Sequence, residues 1–128
     1  MIRGRVSADK QAVISVEIHG PNGKIHTVDA VIDTGYDGML TITPDIAATL
    51  QFPFREIRTY ELGNGECVDF PIHDLTLIWD GEPRDVAAVV TDGGILAGVS
   101  LLIGYTLFID VIDGGEVRIE ARATIDFG

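Results

Sequence analysis

Glycine-containing turns recur along this chain and separate short segments rich in apolar residues. The clearest case is the segment 13–32, in which alternating apolar residues are interrupted by Pro21-Asn22-Gly23-Lys24. Because Asn-Gly readily adopts the positive φ angles of a tight hairpin turn, this pattern predicts a β-hairpin. Three more hairpins are predicted in the same way, pairing residues 55–62 with 66–72, 75–79 with 86–90, and 105–111 with 116–120.

Helical signals are few. Thr43 is a candidate N-cap for a short helix that starts at Pro44 and continues over residues 45–50, and residues 99–103 are long enough for one or two helical turns. Strands spaced by about 8–12 residues with glycine turns favour a sandwich or closed barrel over an alternating α/β sheet. We therefore predict an all-β fold, a small closed β-barrel with one or two short helices, as a single domain spanning residues 1–128.

The charge balance argues against several classes of partner. The chain carries 20 acidic and 9 basic residues, a formal charge of -11, which would repel a phosphate backbone. No stretch approaches the ~18 uninterrupted apolar residues of a membrane helix. The single cysteine, Cys67, has no second thiol, and no spacing of His, Cys and Glu matches a zinc signature. We expect a cytoplasmic protein without metal or cofactor that binds neither nucleic acid nor membranes.

One apolar segment leads directly into an acidic residue. Ala30-Val31-Ile32 precedes Asp33-Thr34-Gly35. A carboxylate at the end of a buried strand is costly unless it is hydrogen-bonded or used in chemistry. Taken alone, the tripeptide is equally compatible with an ordinary strand-to-turn exit, since Asp and Gly are common turn residues.

The wider context of this tripeptide resembles the active-site motif of retropepsin-like (retroviral-type) aspartic proteases, in which two apolar residues precede Asp-Thr-Gly. The segment Tyr36-Asp37 that follows is similar to stand-alone, non-viral members of that clan. Gly63-Asn64-Gly65 lies where the family has its substrate-covering flap. Leu96-Ala97-Gly98 resembles the apolar-apolar-Gly segment that packs behind the catalytic loop.

The resemblance implies a role for each of these segments. Asp33, Thr34 and Gly35 would be catalytic: Asp33 as half of a carboxylate dyad, Thr34 as a hydrogen-bond brace across it, and Gly35 as the position where the backbone approaches the carboxylates. Asp37 and the tip residues Gly63, Asn64 and Gly65 would contact substrate. Leu96, Ala97 and Gly98 would support the active-site loop.

Only one Asp-Thr-Gly is present, so the second carboxylate has to come from another chain. A homodimer with a two-fold axis through the site supplies it, because the axis brings the same residue of both copies together. In the family, terminal strands interleave across the dimer, which implicates residues 2–6 and 117–127 here.

Two positions depart from the viral pattern. Val99 follows Gly98 where viral members have an arginine that pairs with an acid equivalent to Asp37. Asp37 then needs Arg3 or Arg5 of the other subunit, or water, as its partner. The hairpin tip also lacks the apolar residue that often closes the flap over a peptide.

The sequence therefore predicts an aspartic endopeptidase that acts on peptide or protein substrates as a homodimer. The alternative is a homodimeric interaction module with the same fold but without significant proteolytic activity, since a fold does not guarantee turnover. A small-ligand-binding β-barrel unrelated to proteases is a third interpretation, supported only by the number of strands.

Overall fold

The computed structural model describes residues 1–123, which form ten strands and two short α-helices. In chain order they are β1 (Ile2–Val6), β2 (Ala12–His19), β3 (Ile25–Asp33), β4 (Thr41–Ile42), α1 (Pro44–Thr49), β5 (Phe54–Glu61), β6 (Cys67–Trp79), β7 (Glu82–Val90), β8 (Leu96–Gly98), α2 (Val99–Leu102), β9 (Tyr105–Ile109) and β10 (Glu116–Ala121). The predicted β-rich fold with few short helices is confirmed.

All ten described strands belong to one sheet. Its main path runs β4-β7-β6-β2-β1-β10-β9, while β3 pairs with β2 and β8, and β5 pairs with β6. A single bridge between Leu40 and Ala97 connects β8 to the segment that precedes β4. The main path thus has two ends, β4 and β9, and complete closure into a barrel stays a prediction.

The first predicted hairpin is confirmed, with β2 and β3 paired from Val13↔Val31 to His19↔Ile25. Its turn is a single 3-10 turn over Pro21–Gly23, in which Asn22 has φ 61° and Gly23 has φ 72°. These are the left-handed conformations that Asn and Gly adopt at the lowest cost.

The second and third predicted hairpins share one strand. Residues 66–72 and 75–79 were predicted as separate strands, but β6 continues through His73 and Asp74. The reason is a change of partner, since β6 pairs with β5 up to His73 and with β7 from Ile72 onward. The following turn is also tighter than predicted: it consists of Asp80 (φ 52°) and Gly81 (φ 80°), and β7 already begins at Glu82.

The predicted helix over residues 44–50 is present as α1. Thr43 occupies the N-cap position with extended backbone angles, but its side chain makes no capping hydrogen bond, and Pro44 starts the helix. The helix buries Ala47 against the sheet. α2 is a single turn that buries Leu101 and Leu102.

β1 is a strand that the turn pattern did not reveal. It pairs with β10 on one side and with β2 on the other, and β10 in turn lies between β1 and β9. Within the chain, β1 thus pairs with β10 over residues 2–5 and with β2 over residues 4–6, and the expected role of residues 2–6 and 117–127 in a dimer stays a prediction. Residues 124–127 of that expectation lie outside the described part of the chain.

The core combines side chains from the strands with side chains from both helices. Its largest fully buried side chains come from β2, β4, β6, β10 and α2 and from the residue that precedes β4: Trp79, Ile14, Ile18, Leu40, Ile42, Ile72, Leu77, Leu101, Ile119 and Val117. Each buried Ile or Leu stabilises the fold by about 1.5–3 kcal/mol. Trp79 packs edge-on against Tyr105, with ring centroids 6.0 Å apart. Among residues 1–123, no helix has the length and apolar character needed to cross a membrane.

Candidate active site

β3 carries Asp33 as its last residue. The strand is flanked by β2 on one side and by β8 on the other, where Val31, Ile32 and Asp33 run parallel to Leu96, Ala97 and Gly98. Asp33 is half-buried at this position, while Thr34 and Gly35 are exposed. The pairing of β3 with β2 ends at Val31, so the pairing with β8, which continues to Asp33↔Gly98, holds the backbone of Asp33.

The loop after β3 folds back onto the carboxylate of Asp33. The amide of Gly35 donates a hydrogen bond to Asp33 Oδ1 at 2.9 Å, and the amide of Tyr36 donates to the Asp33 carbonyl at 3.2 Å. A side chain at position 35 would place its Cβ 3.2 Å from the same oxygen. The absence of a Cβ therefore lets the backbone approach the carboxylate without displacing it.

The segment Leu96-Ala97-Gly98 lies directly behind this loop. The amide of Gly98 donates to the Met39 carbonyl at 2.7 Å, and the amide of Val99 donates to the Tyr36 carbonyl at 2.8 Å. A Cβ on Gly98 would clash with the Gly38 carbonyl and would lie 2.7 Å from Tyr36 Cδ2. Gly98 is thus required by close packing of two backbone segments.

Asp37 is held through its backbone rather than through its carboxylate. Its carbonyl accepts the Ser100 hydroxyl at 2.5 Å, and the Ser100 amide donates to the neighbouring Gly38 carbonyl at 3.2 Å. Its side chain is exposed and makes no ion pair with residues 1–123. Ser100, in α2, therefore holds the loop that contains Asp37 and Gly38 against this helix. The sequence analysis did not identify Ser100, because a lone serine in an apolar segment carries no distinctive signal.

The hairpin of β5 and β6 carries the predicted flap tip. The Leu62 amide donates to the Glu66 carbonyl at 2.7 Å, and Asn64 Oδ1 accepts the Glu66 amide at 3.0 Å. Gly65 has φ 85°, a conformation that favours glycine. Gly63, Asn64 and Gly65 are all exposed. Local turn chemistry therefore determines the shape of the tip.

Tyr36 links this hairpin to the Asp33 loop. Burial raises the pKa of Tyr36 to about 12, and the nearby Tyr60 and Asp37 raise it as well, whereas Arg58 lowers it. Tyr60 and Arg58 belong to β5. The first strand of the hairpin thus lies within electrostatic reach of the loop that carries Asp33, although the sequence assigned no role to Tyr36.

Thr41 is a second residue that the sequence analysis did not identify. It is only 4% exposed, and its hydroxyl donates to the Gly94 carbonyl and accepts the Leu96 amide, both at 2.8 Å. It thereby connects β4 to the loop that leads into Leu96-Ala97-Gly98. A polar residue inside the apolar run 39–42 is the signal from which it could have been found.

One cavity of the described chain lies away from Asp33. Its volume is about 720 Å³, and its lining includes His19, Met39, the ion pair of Arg55 with Asp74, and Asp85. None of the catalytic, substrate-binding or supporting residues inferred from the sequence lines it. In a single chain, the inferred catalytic residues therefore lie outside this cavity.

Comparisons with known proteins agree with this geometry at the level of the fold. No family model matches the sequence, and no curated protein matches it. Among solved structures, the chain is similar to the crystal structure of a retropepsin-like aspartic protease from Rickettsia conorii. The TM-score is 0.59 at 19% identity, over 94% of this chain and 90% of that one. The chain has the fold of a retropepsin-like aspartic protease.

Proposed function

We propose that this protein is an aspartic endopeptidase whose catalytic dyad forms from Asp33 of two copies across a two-fold axis. The observation that carries the proposal is the placement of Asp33: at the end of a core strand, hydrogen-bonded to Gly35 and backed by Leu96-Ala97-Gly98. This arrangement occurs in a chain whose fold is similar to that of a retropepsin-like aspartic protease.

The chemistry explains why two copies are needed. Two adjacent carboxylates share one proton, because two like charges so close together do not both ionise. One Asp33 takes a proton from a water that attacks the peptide carbonyl, while the protonated Asp33 donates to the carbonyl oxygen. The roles reverse when the amine leaves. Water is the nucleophile, so no side chain forms a covalent intermediate in these steps.

The remaining candidate residues position the dyad and the substrate. Thr34 is exposed next to Asp33, where its hydroxyl can brace the same loop of the second copy. The hairpin tip Gly63-Asn64-Gly65 acts as the flap over an extended peptide, which is bound by strand-like pairing. Arg5 is exposed and makes no ion pair with residues 1–123, so it is available to Asp37 of the second copy, whereas Arg3 already bonds to Glu116 at 2.8 Å.

A cleavage assay tests the proposal. The wild-type protein and Asp33→Asn are incubated with a mixed peptide library from about pH 3 to pH 8, and products are identified by mass spectrometry. Since the singly protonated pair is the active form, cleavage should peak on the acidic side of neutrality. Asp33→Asn should abolish cleavage, because an amide neither shares the proton nor activates the water.

Asp9→Asn is the matched control, since it removes one exposed carboxylate in the turn between β1 and β2. It should cleave like the wild type. Cleavage that persisted in purified Asp33→Asn, or a rate that rose steadily to alkaline pH, would rule out the aspartic mechanism. Absence of cleavage in a dimeric wild-type protein would instead favour the interaction module.

A further inference from the structure

Tyr36 is the only aromatic residue in the loop 33–40, and its ring lies against two glycines. A Cβ on Gly98 would be 2.7 Å from Tyr36 Cδ2, and a Cβ on Gly38 would clash with the phenol oxygen. Because neither glycine has a side chain, the ring approaches the backbone of both segments closely. Gly98 is also the residue that pairs with Asp33. The ring therefore packs on the strand beside the candidate catalytic carboxylate.

The backbone that carries this ring is held on both sides. The Tyr36 amide donates to the Asp33 carbonyl at 3.2 Å, and the Tyr36 carbonyl accepts the Val99 amide at 2.8 Å. The Gly38 carbonyl accepts the Ser100 amide at 3.2 Å, which ties the segment that the ring covers to α2. The Tyr36 side chain itself is half-buried. A substrate side chain that approaches Asp33 from this direction therefore meets a ring whose position is fixed.

One face of the hairpin of β5 and β6 is turned toward this ring. Four side chains share this face, which we call the inner face: Arg58, Tyr60, Val68 and Phe70. Three of them, Tyr60, Val68 and Phe70, are half-buried. The residues of the opposite face are exposed: Ile57, Thr59, Cys67 and Asp69. Tyr60 and Arg58 both act electrostatically on Tyr36, so the inner face lies across from the Tyr36 ring.

Aromatic rings thus border the path of the substrate on two sides. In the proposed function, an extended peptide lies between the Asp33 loop and the hairpin. Tyr36 lies on the side of the loop, and Tyr60 and Phe70 lie on the side of the hairpin, with their ring centroids 5.8 Å apart. Because close-packed side chains accept added volume poorly, a bulky substrate side chain directed at Tyr36 has to displace one of these rings.

We propose that Tyr36 makes the protein selective for peptides with small residues beside the scissile bond, because its ring fills the subsite next to Asp33 and leaves room only for glycine, alanine or serine. The inference rests on the proposed function and adds a substrate class to it. A two-fold axis through the dyad places one Tyr36 on each side of the scissile bond. The restriction therefore applies to two positions of the peptide, one on each side of that bond.

The residues nearest to Asp33 in the loop and in β8 are otherwise small. Thr34 and Gly35 follow it directly, and Gly98 pairs with it. Size selection at this point therefore depends on one side chain. A single substitution at position 36 removes the ring, whereas the hydrogen bonds of the loop are retained because they involve only the backbone of Tyr36.

Cleavage of paired peptides by the full-length protein tests the inference. The positions on both sides of the scissile bond are varied between alanine and leucine, one at a time. At the restricted positions, the wild type should favour alanine at least about tenfold in kcat/KM, since a fitted pocket discriminates even one methylene by about 10- to 200-fold. Tyr36→Ala should lower this ratio at least about tenfold, whereas Tyr36→Phe keeps the ring and should keep the ratio. Equal kcat/KM in the wild type, a ratio unchanged in Tyr36→Ala, or a size preference on one side only would overturn the inference.

Ile57→Ala is the matched control, since it shortens a side chain that is 54% exposed on the opposite face of the hairpin. It should leave the ratio unchanged, and a ratio that fell as far as in Tyr36→Ala would contradict the assignment. Tyr60→Ala enlarges the same space from the inner face and should also lower the ratio. Urea unfolding shows whether Tyr36→Ala folds. If it does not, Tyr60→Ala decides, and a wild-type ratio in that variant would overturn the inference.

Binding separates this inference from the peptidase itself. The Kd values of the alanine and leucine peptides are measured with Asp33→Asn, which should not cleave them, and with the same variant carrying Tyr36→Ala. If the wild type cleaves nothing but Asp33→Asn binds the alanine peptide at least about tenfold more tightly, and Tyr36→Ala removes the difference, the inference stands and only the peptidase is refuted. Equal affinities of Asp33→Asn for the two peptides would overturn the inference. Neither binding nor cleavage of either peptide would overturn both proposals.

Discussion

Asp33 Oδ1 accepts the amide of Gly35, two residues further along the chain, at 2.9 Å. This bond joins the carboxylate to the backbone of its own loop, so that the loop conformation and the orientation of the carboxylate are set together. Hydrogen bonds to an ionised carboxylate are stronger than those between neutral groups. This hydrogen bond therefore orients the Asp33 carboxylate, the proposed catalytic group, before any substrate binds.

Gly35→Ala should impair catalysis more than folding. Its Cβ would lie 3.2 Å from Asp33 Oδ1, tighter than ordinary contact, and the carboxylate would have to shift. Small displacements of a catalytic group lower kcat/KM by up to about 100-fold, and we expect a loss of about 10- to 100-fold. Thermal unfolding should change little, because the position is exposed. Wild-type kcat/KM in this variant would contradict the assigned role of Gly35.

Gly98→Ala should act on stability instead. The added Cβ would meet the backbone carbonyl of Gly38 and the side-chain atom Tyr36 Cδ2, so that backbone has to shift to make room. Overpacking of this kind costs about 1–3 kcal/mol. Gly93→Ala is the control, since its Cβ would find its nearest neighbour, Thr91 Oγ1, at 3.7 Å. Urea unfolding of both variants measures the difference, and equal stabilities would show that the contact behind Asp33 is not tight.

Thr41→Val should destabilise the support behind the site by about 1–3 kcal/mol. The change keeps the shape of the side chain but leaves the Gly94 carbonyl and the Leu96 amide without their partner in a buried region. Thr41→Ser retains the hydroxyl and should recover most of that loss. Urea unfolding of the three proteins tests this, and a valine variant as stable as the wild type would mean that other groups satisfy both atoms.

The ionisation of Tyr36 should make stability depend on alkaline pH. Because burial raises its pKa from 10.0 to about 12, the folded protein keeps the phenol protonated where the unfolded chain loses the proton. The contribution is fully present below pH 10 and is lost as the pH rises toward about 12. Tyr36→Phe cannot ionise, so its unfolding free energy relative to wild type should increase with pH above 10. A difference that stays constant across that range would contradict the raised pKa.

Much of the fold was predictable because its turns are encoded locally. Asn22-Gly23 and Gly114 adopt positive φ angles at the predicted turns, and each hairpin followed from alternating residues on either side. The strand bounds were less predictable where tertiary pairing decides them. β6 crosses His73-Asp74, which break the apolar pattern, because two different partner strands hold its two halves.

The candidate site was predictable only where a motif marks it. Asp33-Thr34-Gly35 and Leu96-Ala97-Gly98 carry a recognisable pattern, and the structure brings the two segments together. Thr41 and Ser100 act through single hydrogen bonds to backbone atoms from distant parts of the chain. Such contacts depend on the folded arrangement and leave no periodic signal in the sequence.

The change of partner along β6 determines which part of the hairpin that carries Gly63-Asn64-Gly65 is held by the rest of the sheet. The half of β6 after His73 is clamped between β7 and β2, whereas the half before Ile72 is supported only by β5. The hairpin is therefore anchored at one end only, at Ile72, a residue with no exposed surface. Bending of the hairpin should therefore pivot near Ile72, where β6 begins to pair with β7, and its stiffness should depend on that pairing rather than on the glycines at the tip.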